Sequence, residues 1–328
     1  MFRRLFLTAA CVALPGAQAL AQPTYSQIFF FGTSEIDTGN WLSNPNLMSN
    51  PFAPKKENGY WQGRWQSGPA WSDYFAQALG FNATASSLGG NNYAFGFGWL
   101  GPLSDETSPT PGTFPSFEEL YLGSQVDAAL AANPFGLSSD ALYVISIGSN
   151  DFSFFGRTAG QAEAVANLAL AQFQRLVDAG ARNFLVQTLG GVGTEVLIYN
   201  QTLLDGLAAI SEIQVSVVDT RKFNQDVVLA PGFLASLGIT NSGVCISDAE
   251  CQAAAVAKTS IDEPYFGSAY LRFDNIHRDP KLANALATYA IAQLPQATVP
   301  EPETVALLAV GLAGLGLFGR RRRARQVA

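Results

Sequence analysis

The chain of 328 residues holds one histidine, and it follows an aspartate by three positions in Phe273-Asp274-Asn275-Ile276-His277. An imidazole becomes an effective base when a carboxylate orients its other nitrogen, and it then needs a hydroxyl to activate. Ser34 supplies one in Phe31-Gly32-Thr33-Ser34-Glu35-Ile36-Asp37-Thr38-Gly39-Asn40. A tetrahedral intermediate also needs hydrogen-bond donors for its oxyanion. Two further segments offer glycine-exposed backbone and a side-chain amide: Asn92-Tyr93-Ala94-Phe95-Gly96-Phe97-Gly98 and Gly148-Ser149-Asn150-Asp151. Each signal is weak alone, and together they make the inventory for nucleophilic acyl transfer.

These segments must be brought together, and the apolar pattern says how. Short apolar runs at Gln27–Phe31, Asn92–Phe95, Ala141–Ile147, Asn183–Thr188 and Val215–Asp219 read as strands. Helical patterns fall at Pro69–Leu79, Phe117–Ala132 (with Ser116 as N-cap), Gly160–Ala179, Thr194–Ile210 and Asp279–Leu294, and a helical or mixed stretch at Arg221–Leu237. Strands alternating with helices imply βαβ units and a parallel sheet of about five strands in an α/β fold. In such sheets chemistry collects beyond the carboxyl ends of the strands, which is where the Ser34, Gly96 and Asn150 segments lie. Pro/Gly/Ser-rich stretches at Ser43–Gly68 and Leu100–Pro115 read as long loops. No internal repeat or domain boundary interrupts the body.

The same segments resemble the GDSL lipase/esterase family, the SGNH hydrolases, in its secreted phospholipase/lecithinase-like subgroup. Gly63-Arg64-Trp65-Gln66-Ser67-Gly68-Pro69-Ala70-Trp71 and Tyr143-Val144-Ile145-Ser146-Ile147-Gly148-Ser149-Asn150-Asp151-Phe152 also resemble family blocks, and the matches run from residue 31 to residue 277. The resemblance implies a flavodoxin-like three-layer α/β/α sandwich with Ser34 at the start of a short helix. It implies Ser34 as nucleophile, His277 as base and Asp274 as its orienter. The Ser34 N–H, a second-block glycine (Gly96, or Gly98 with a shift) and the Asn150 side chain would form the oxyanion hole. It implies no cofactor and no metal. The chain departs from the pattern at four places. Thr33 and Glu35 stand where the family has Asp and Leu, Phe97 where it has a second glycine, and Arg278-Asp279-Pro280 follows the histidine in place of Pro-Thr. Asp279 is thereby a candidate helix cap.

Both ends read as targeting segments. Arg3 and Arg4, the apolar run Leu5–Leu14 and Ala19-Leu20-Ala21 make residues 1–21 a secretory signal peptide. A membrane anchor is the alternative, disfavoured by the short apolar run. At the other end Val299-Pro300-Glu301-Pro302, an uncharged run Thr304–Gly319 and the Arg320–Arg323 cluster resemble a PEP-CTERM sorting signal. As a helix that run would be ~24 Å long, near the ~30 Å hydrocarbon core. The resemblance implies a transient membrane segment in 299–328, removal by an exosortase, and delivery to the Gram-negative periplasm, outer surface or extracellular matrix. A permanent anchor is the alternative. Signal peptidase and exosortase are the processing partners.

The working body is then 22–298, with 12 basic and 24 acidic residues and a net charge of −12 against −7 for the whole chain. Such a body is a poor ligand for nucleic acid or anionic lipid. One histidine and three cysteines do not make a His- or Cys-rich zinc site. Export puts Cys245 and Cys251 in an oxidising compartment, so a local disulfide is expected. The function expected is ester hydrolysis with a lipid, small ester or acylated polysaccharide as substrate. Polysaccharide O-deacetylation on the same site, or a catalytically impaired surface protein on the same fold, are the alternatives.

Overall fold

The computed structural model describes residues 25–104 and 118–295. The expected signal peptide, the C-terminal segment, Ser116 and much of the second long loop fall outside them. Four parallel strands form the central sheet in the order β1 (Ile28–Gly32), β2 (Leu142–Ser146), β3 (Asn183–Gln187), β4 (Gln214–Val218). The register pairs Phe30 with Val144, Val144 with Leu185 and Leu185 with Ser216. β1 and β2 are buried along their whole length, which explains their unbroken apolar sequences. A parallel sheet covered on both faces has no side to give to water.

The expected strand at Asn92–Phe95 is not a full strand. This segment runs along the outer edge of β1, where Phe30 N donates to Asn91 O, Tyr93 N to Phe30 O and Phe95 N to Gly32 O. With β1 it forms the single Phe30–Asn92 bridge, and Asn92 also bridges Ala85, because two buried side-chain amides compete for its backbone: Asn92 Oδ1 accepts from Ala94 N, and Asn40 Nδ2 donates to both Asn92 O and Ala94 O. With that segment at the edge, the spatial order matches the flavodoxin-like arrangement.

Alternate strand residues face opposite helical layers. On one face Phe29, Phe31, Tyr143, Ile145, Phe184 and Val186 pack against helices α2 (Leu122–Ala132), α4 (Ala162–Asp178) and α5 (Thr194–Ala209). On the other, Ile28, Phe30, Leu142, Val144 and Leu185 pack against α1 (Trp71–Ala78) and α7 (Pro280–Ala292). Two further helices are α3 (Ser149–Ser153), directly after β2, and α6 (Ala249–Thr259). The result is the expected three-layer α/β/α sandwich. Each fully buried aromatic here contributes roughly 1.5–3 kcal/mol relative to exposure.

Some boundaries moved. The helix expected from Phe117 begins at Leu122 after a short turn at Glu118–Leu120. The mixed stretch after β4 resolves into Thr220–Phe223, a wider π turn at Asn224–Val228 and Phe233–Ser236. Two short strands, β5 (Asn241–Val244) and β6 (Tyr270–Arg272), pair in parallel apart from the main sheet. They were not anticipated, because they are too short and too polar to show a strand pattern. Cys245 and Cys251 form a disulfide with Cα atoms 5.3 Å apart. It packs with Ala255 and Phe273, the residue before Asp274.

Candidate active site

β1 ends at Gly32, and the chain turns at once. Gly32 has φ +151°, and a Cβ there would collide with the Ser146 carbonyl of β2, so the approach needs glycine. Gln125 on α2 then acts like a strand neighbour. Its Oε1 accepts from Gly32 N at 2.7 Å and its Nε2 donates to Gly32 O at 2.9 Å. Thr33 N donates to Ser146 O, and Thr33 O accepts from Ile36 N and Asp37 N. Ser34 therefore sits in a single tight turn, not at the head of a helix as the resemblance implied. No acceptor for the Ser34 N–H is found among the described residues.

The second half of the site comes from the segment leading into α7. Phe273 N donates to His277 O at 2.9 Å, closing a small loop. Asp274 Oδ1 accepts from Ile276 N at 2.8 Å and His277 N at 2.7 Å. This is an Asx turn that gives the Asp-x-x-His spacing its purpose. Asp274 Oδ2 lies 2.7 Å from His277 Nδ1, and His277 Nε2 lies 2.7 Å from Ser34 Oγ. Burial pushes the Asp274 carboxyl up. The charge of protonated His277, its hydrogen bond and the two backbone N–H groups more than offset this and hold it below the ordinary range. An ionised Asp274 requires a proton on Nδ1, which leaves Nε2 free to accept from the Ser34 hydroxyl.

Three further side chains support this arrangement. Tyr60 donates to Asp274 Oδ2 at 3.0 Å, and burial together with that carboxylate keeps its hydroxyl protonated. Trp65 lies with its ring centroid 5.6 Å from that of His277, and its Nε1 donates to Asp37 Oδ2 at 3.3 Å. Asp37 also accepts from Gly39, Asn40 and Gly96 backbone N–H groups at 2.8–2.9 Å. Burial pushes Asp37 up while these donors pull it down. Of the three only Tyr60 escapes the sequence, since a lone Tyr in a loop carries no spacing signal, whereas Trp65 and Asp37 sit within motif blocks and Asp37 holds the loop after Ser34.

The Gly96 expectation is corrected by that network. Its N–H is spent on Asp37, and a Cβ at Gly96 would collide with the Trp65 ring. Gly96 is small so that the indole fits. Phe97 beside it holds φ 55°, the left-handed region that a glycine would take freely. Its ring is housed among Trp41, Trp65 and Phe154 with centroids 5.2–5.4 Å away. Asn150, on α3, donates one amide hydrogen to Gly98 O at 2.8 Å, and a primary amide has a second. Its neighbour Asp151 anchors α3: the carboxylate bonds Arg157 at 2.6 Å and accepts from Leu100 N at 3.3 Å. Glu35 turns to Arg278 and Gln187.

A cleft of about 340 Å³ is bounded by Ser34, His277 and Asn150 and walled by Phe52, Tyr60, Trp65, Phe97, Phe154 and Ile276. A second, of about 330 Å³, shares Ser34 and Asn150 and is lined by Glu35, Arg278 and Gln187. Among the described residues no group of His, Cys, Asp and Glu could hold a metal ion, and no helix is long and apolar enough to cross a membrane.

The family model for GDSL-like lipases/acylhydrolases matches residues 28–289, a span holding every residue of this arrangement. The chain belongs to the GDSL-like lipase/acylhydrolase family. The PEP-CTERM protein-sorting motif matches residues 298–323, so this is an exported acylhydrolase in general terms. No curated protein matches the chain. Within this GDSL family member the departures are absorbed locally. Thr33 is buried beneath the turn, Glu35 is paired, and Phe97 keeps the backbone turn of the glycine it replaces.

Proposed function

We propose that this chain is an exported serine esterase that hydrolyses carboxylic esters bearing an apolar group larger than acetyl. The observation that carries the reading is the unbroken Ser34–His277–Asp274 hydrogen-bond chain, with 2.7 Å at each link. Its position at the wall of an aromatic cleft supports the substrate class.

Ser34 Oγ attacks the ester carbonyl as its proton passes to His277 Nε2. Asp274 holds Nδ1–H and stabilises the imidazolium. The carbonyl oxygen takes the negative charge, held by the Ser34 N–H and the second amide hydrogen of Asn150. The Phe97 amide, rather than that of Gly96, is the second backbone donor, since Phe97 occupies the left-handed position and lines the same cleft. The intermediate collapses, the C–O bond to the alcohol breaks, and His277 returns its proton to the departing alkoxide. Water then repeats the sequence on the acyl-enzyme and frees the carboxylic acid and Ser34. Nucleophilic attack needs a neutral imidazole to accept the Ser34 proton.

Residues 1–21 as a removed signal peptide, 22–298 as the working domain and 299–328 as the sorting segment complete the proposal. A panel of p-nitrophenyl esters from acetyl to decanoyl tests it. Butyryl or longer esters are expected to be preferred to acetyl, and Ser34→Ala to lower kcat by about 10⁴-fold or more. Preference for acetyl would favour O-deacetylation. Equal rates for Ser34→Ala and wild type would remove the proposed nucleophile.

A further inference from the structure

Two of the family departures meet. Glu35 follows Ser34 and Arg278 follows His277, and the Arg278 guanidinium bonds Glu35 Oε1. The side chains are 26% and 21% exposed, respectively, so the pair is sheltered but not sealed. Gln187 at the end of β3 donates to Glu35 Oε2 at 3.1 Å and to Thr220 Oγ1 at 3.2 Å. Among the described residues, two hydrogen bonds join residues 33–40 to residues 270–280. One is Ser34–His277 itself and the other is Glu35–Arg278.

We propose that Glu35 and Arg278 are a matched pair in which the Arg278 charge cancels a carboxylate, one residue from the nucleophile, that would otherwise oppose the reaction. The inference rests on the Ser34–His277 reading above. An unpaired carboxylate one residue from the nucleophile disfavours an oxyanion and favours protonated imidazole. The titratable and charged groups nearest His277 are Asp274 in its own loop, Tyr60, Arg278 next in the chain and Asp279 after it, whose carboxyl burial raises to about 6, with Glu35 beside Ser34 and Asp37 behind the Trp65 indole. Of these Glu35 is the carboxylate whose countercharge a single substitution at Arg278 removes. The pairing also explains why both departures occur in one chain: Glu35 without Arg278 would be a handicap.

The test is the pH profile of kcat/KM for p-nitrophenyl butyrate in wild type, Arg278→Met, Glu35→Gln and the double variant. Rates are normalised to the fraction of Ser34 labelled by a fluorophosphonate. Arg278→Met is expected to lower kcat/KM at pH 7 by about ten-fold and to move the acid limb up. Glu35→Gln, which leaves the cation, moves the limb down. The double variant returns the limb to its wild-type position and recovers activity to within about three-fold. The limb shifts are what a structural role alone would not produce. If Arg278→Met fails to fold, the opposite shift in Glu35→Gln still decides. Identical limbs in all folded variants, or a double variant no better than Arg278→Met, would overturn the proposal. A wild type that hydrolyses no ester would instead overturn the esterase reading beneath it.

Discussion

At the scale of single residues, Ser34, His277 and Asp274 are joined by two 2.7 Å contacts, and Tyr60 closes the chain on Asp274 Oδ2. Asp274 and His277 were legible because one Asx turn joins them within three residues. Ser34 and Asn150 were legible because each follows a strong apolar strand. Gly96 was misread, because a sequence does not say whether an N–H is already used, and here Asp37 takes it. The Glu35–Arg278 pair, 243 residues apart in sequence, was invisible: the two departures looked independent until the fold joined them. Phe97 gives a prediction at this scale. Phe97→Gly relaxes a left-handed φ worth about 1–2 kcal/mol but empties a ring site worth about 3–5 kcal/mol. The variant should therefore melt lower by thermal denaturation, while kcat falls less than about ten-fold because a backbone donor is retained. KM for the longer esters should rise as the aromatic wall is lost. A collapse of kcat with unchanged stability would mean the ring itself orders the oxyanion donor.

At the scale of elements, each proposed catalytic group is carried by the end of a strand or a short segment locked by buried polar bonds. α3 is too short to hold Asn150 by its own hydrogen bonds, and the Asp151–Arg157 pair pins it, with Arg157 Nη2 also donating to Gly101 O at 2.5 Å. Removing one partner of such a pair strands a buried charge. Arg157→Met should cost about 3–5 kcal/mol in urea unfolding and, with Asn150 in its proposed oxyanion role, lower kcat more than it raises KM. α7 shows the same principle at its cap. Asp279 accepts from Lys281 N at 2.9 Å, yet burial pushes its carboxyl up to about 6, against the pull of that N–H and the Lys281 charge. The folded state then keeps a proton that the unfolded chain releases near its ordinary pKa, so stability falls as the pH rises from about 4 to about 6. Asp279→Asn keeps the acceptor and removes the charge. Its melting temperature should exceed wild type at pH 8 by several degrees and lose that advantage near pH 4. The helix was legible from its Asp-Pro start and apolar period. β5 and β6 were not, since pairing of three or four polar residues is decided by tertiary contacts.

At the scale of the molecule, a sandwich with both sheet faces covered carries its chemistry at one edge of loops. The flavodoxin-like order puts the Ser34 and Asn150 segments at the switch point between β1 and β2, so the long connections were the right places to look. The family membership spans 28–289 and the sorting motif 298–323, so the site and the export signal occupy separate stretches. Mass spectrometry of the protein recovered from its exosortase-bearing host should find a C-terminus near Val299–Pro302. Recovery of the intact tail would favour a permanent anchor. The central claim is that Ser34 is a nucleophile activated by His277, and intact-mass analysis after a fluorophosphonate probe tests it most directly. One probe per molecule, mapped to Ser34 and lost in both Ser34→Ala and His277→Ala, is the predicted result. A folded wild-type protein that stays unlabelled, or one labelled at another serine, would contradict the account.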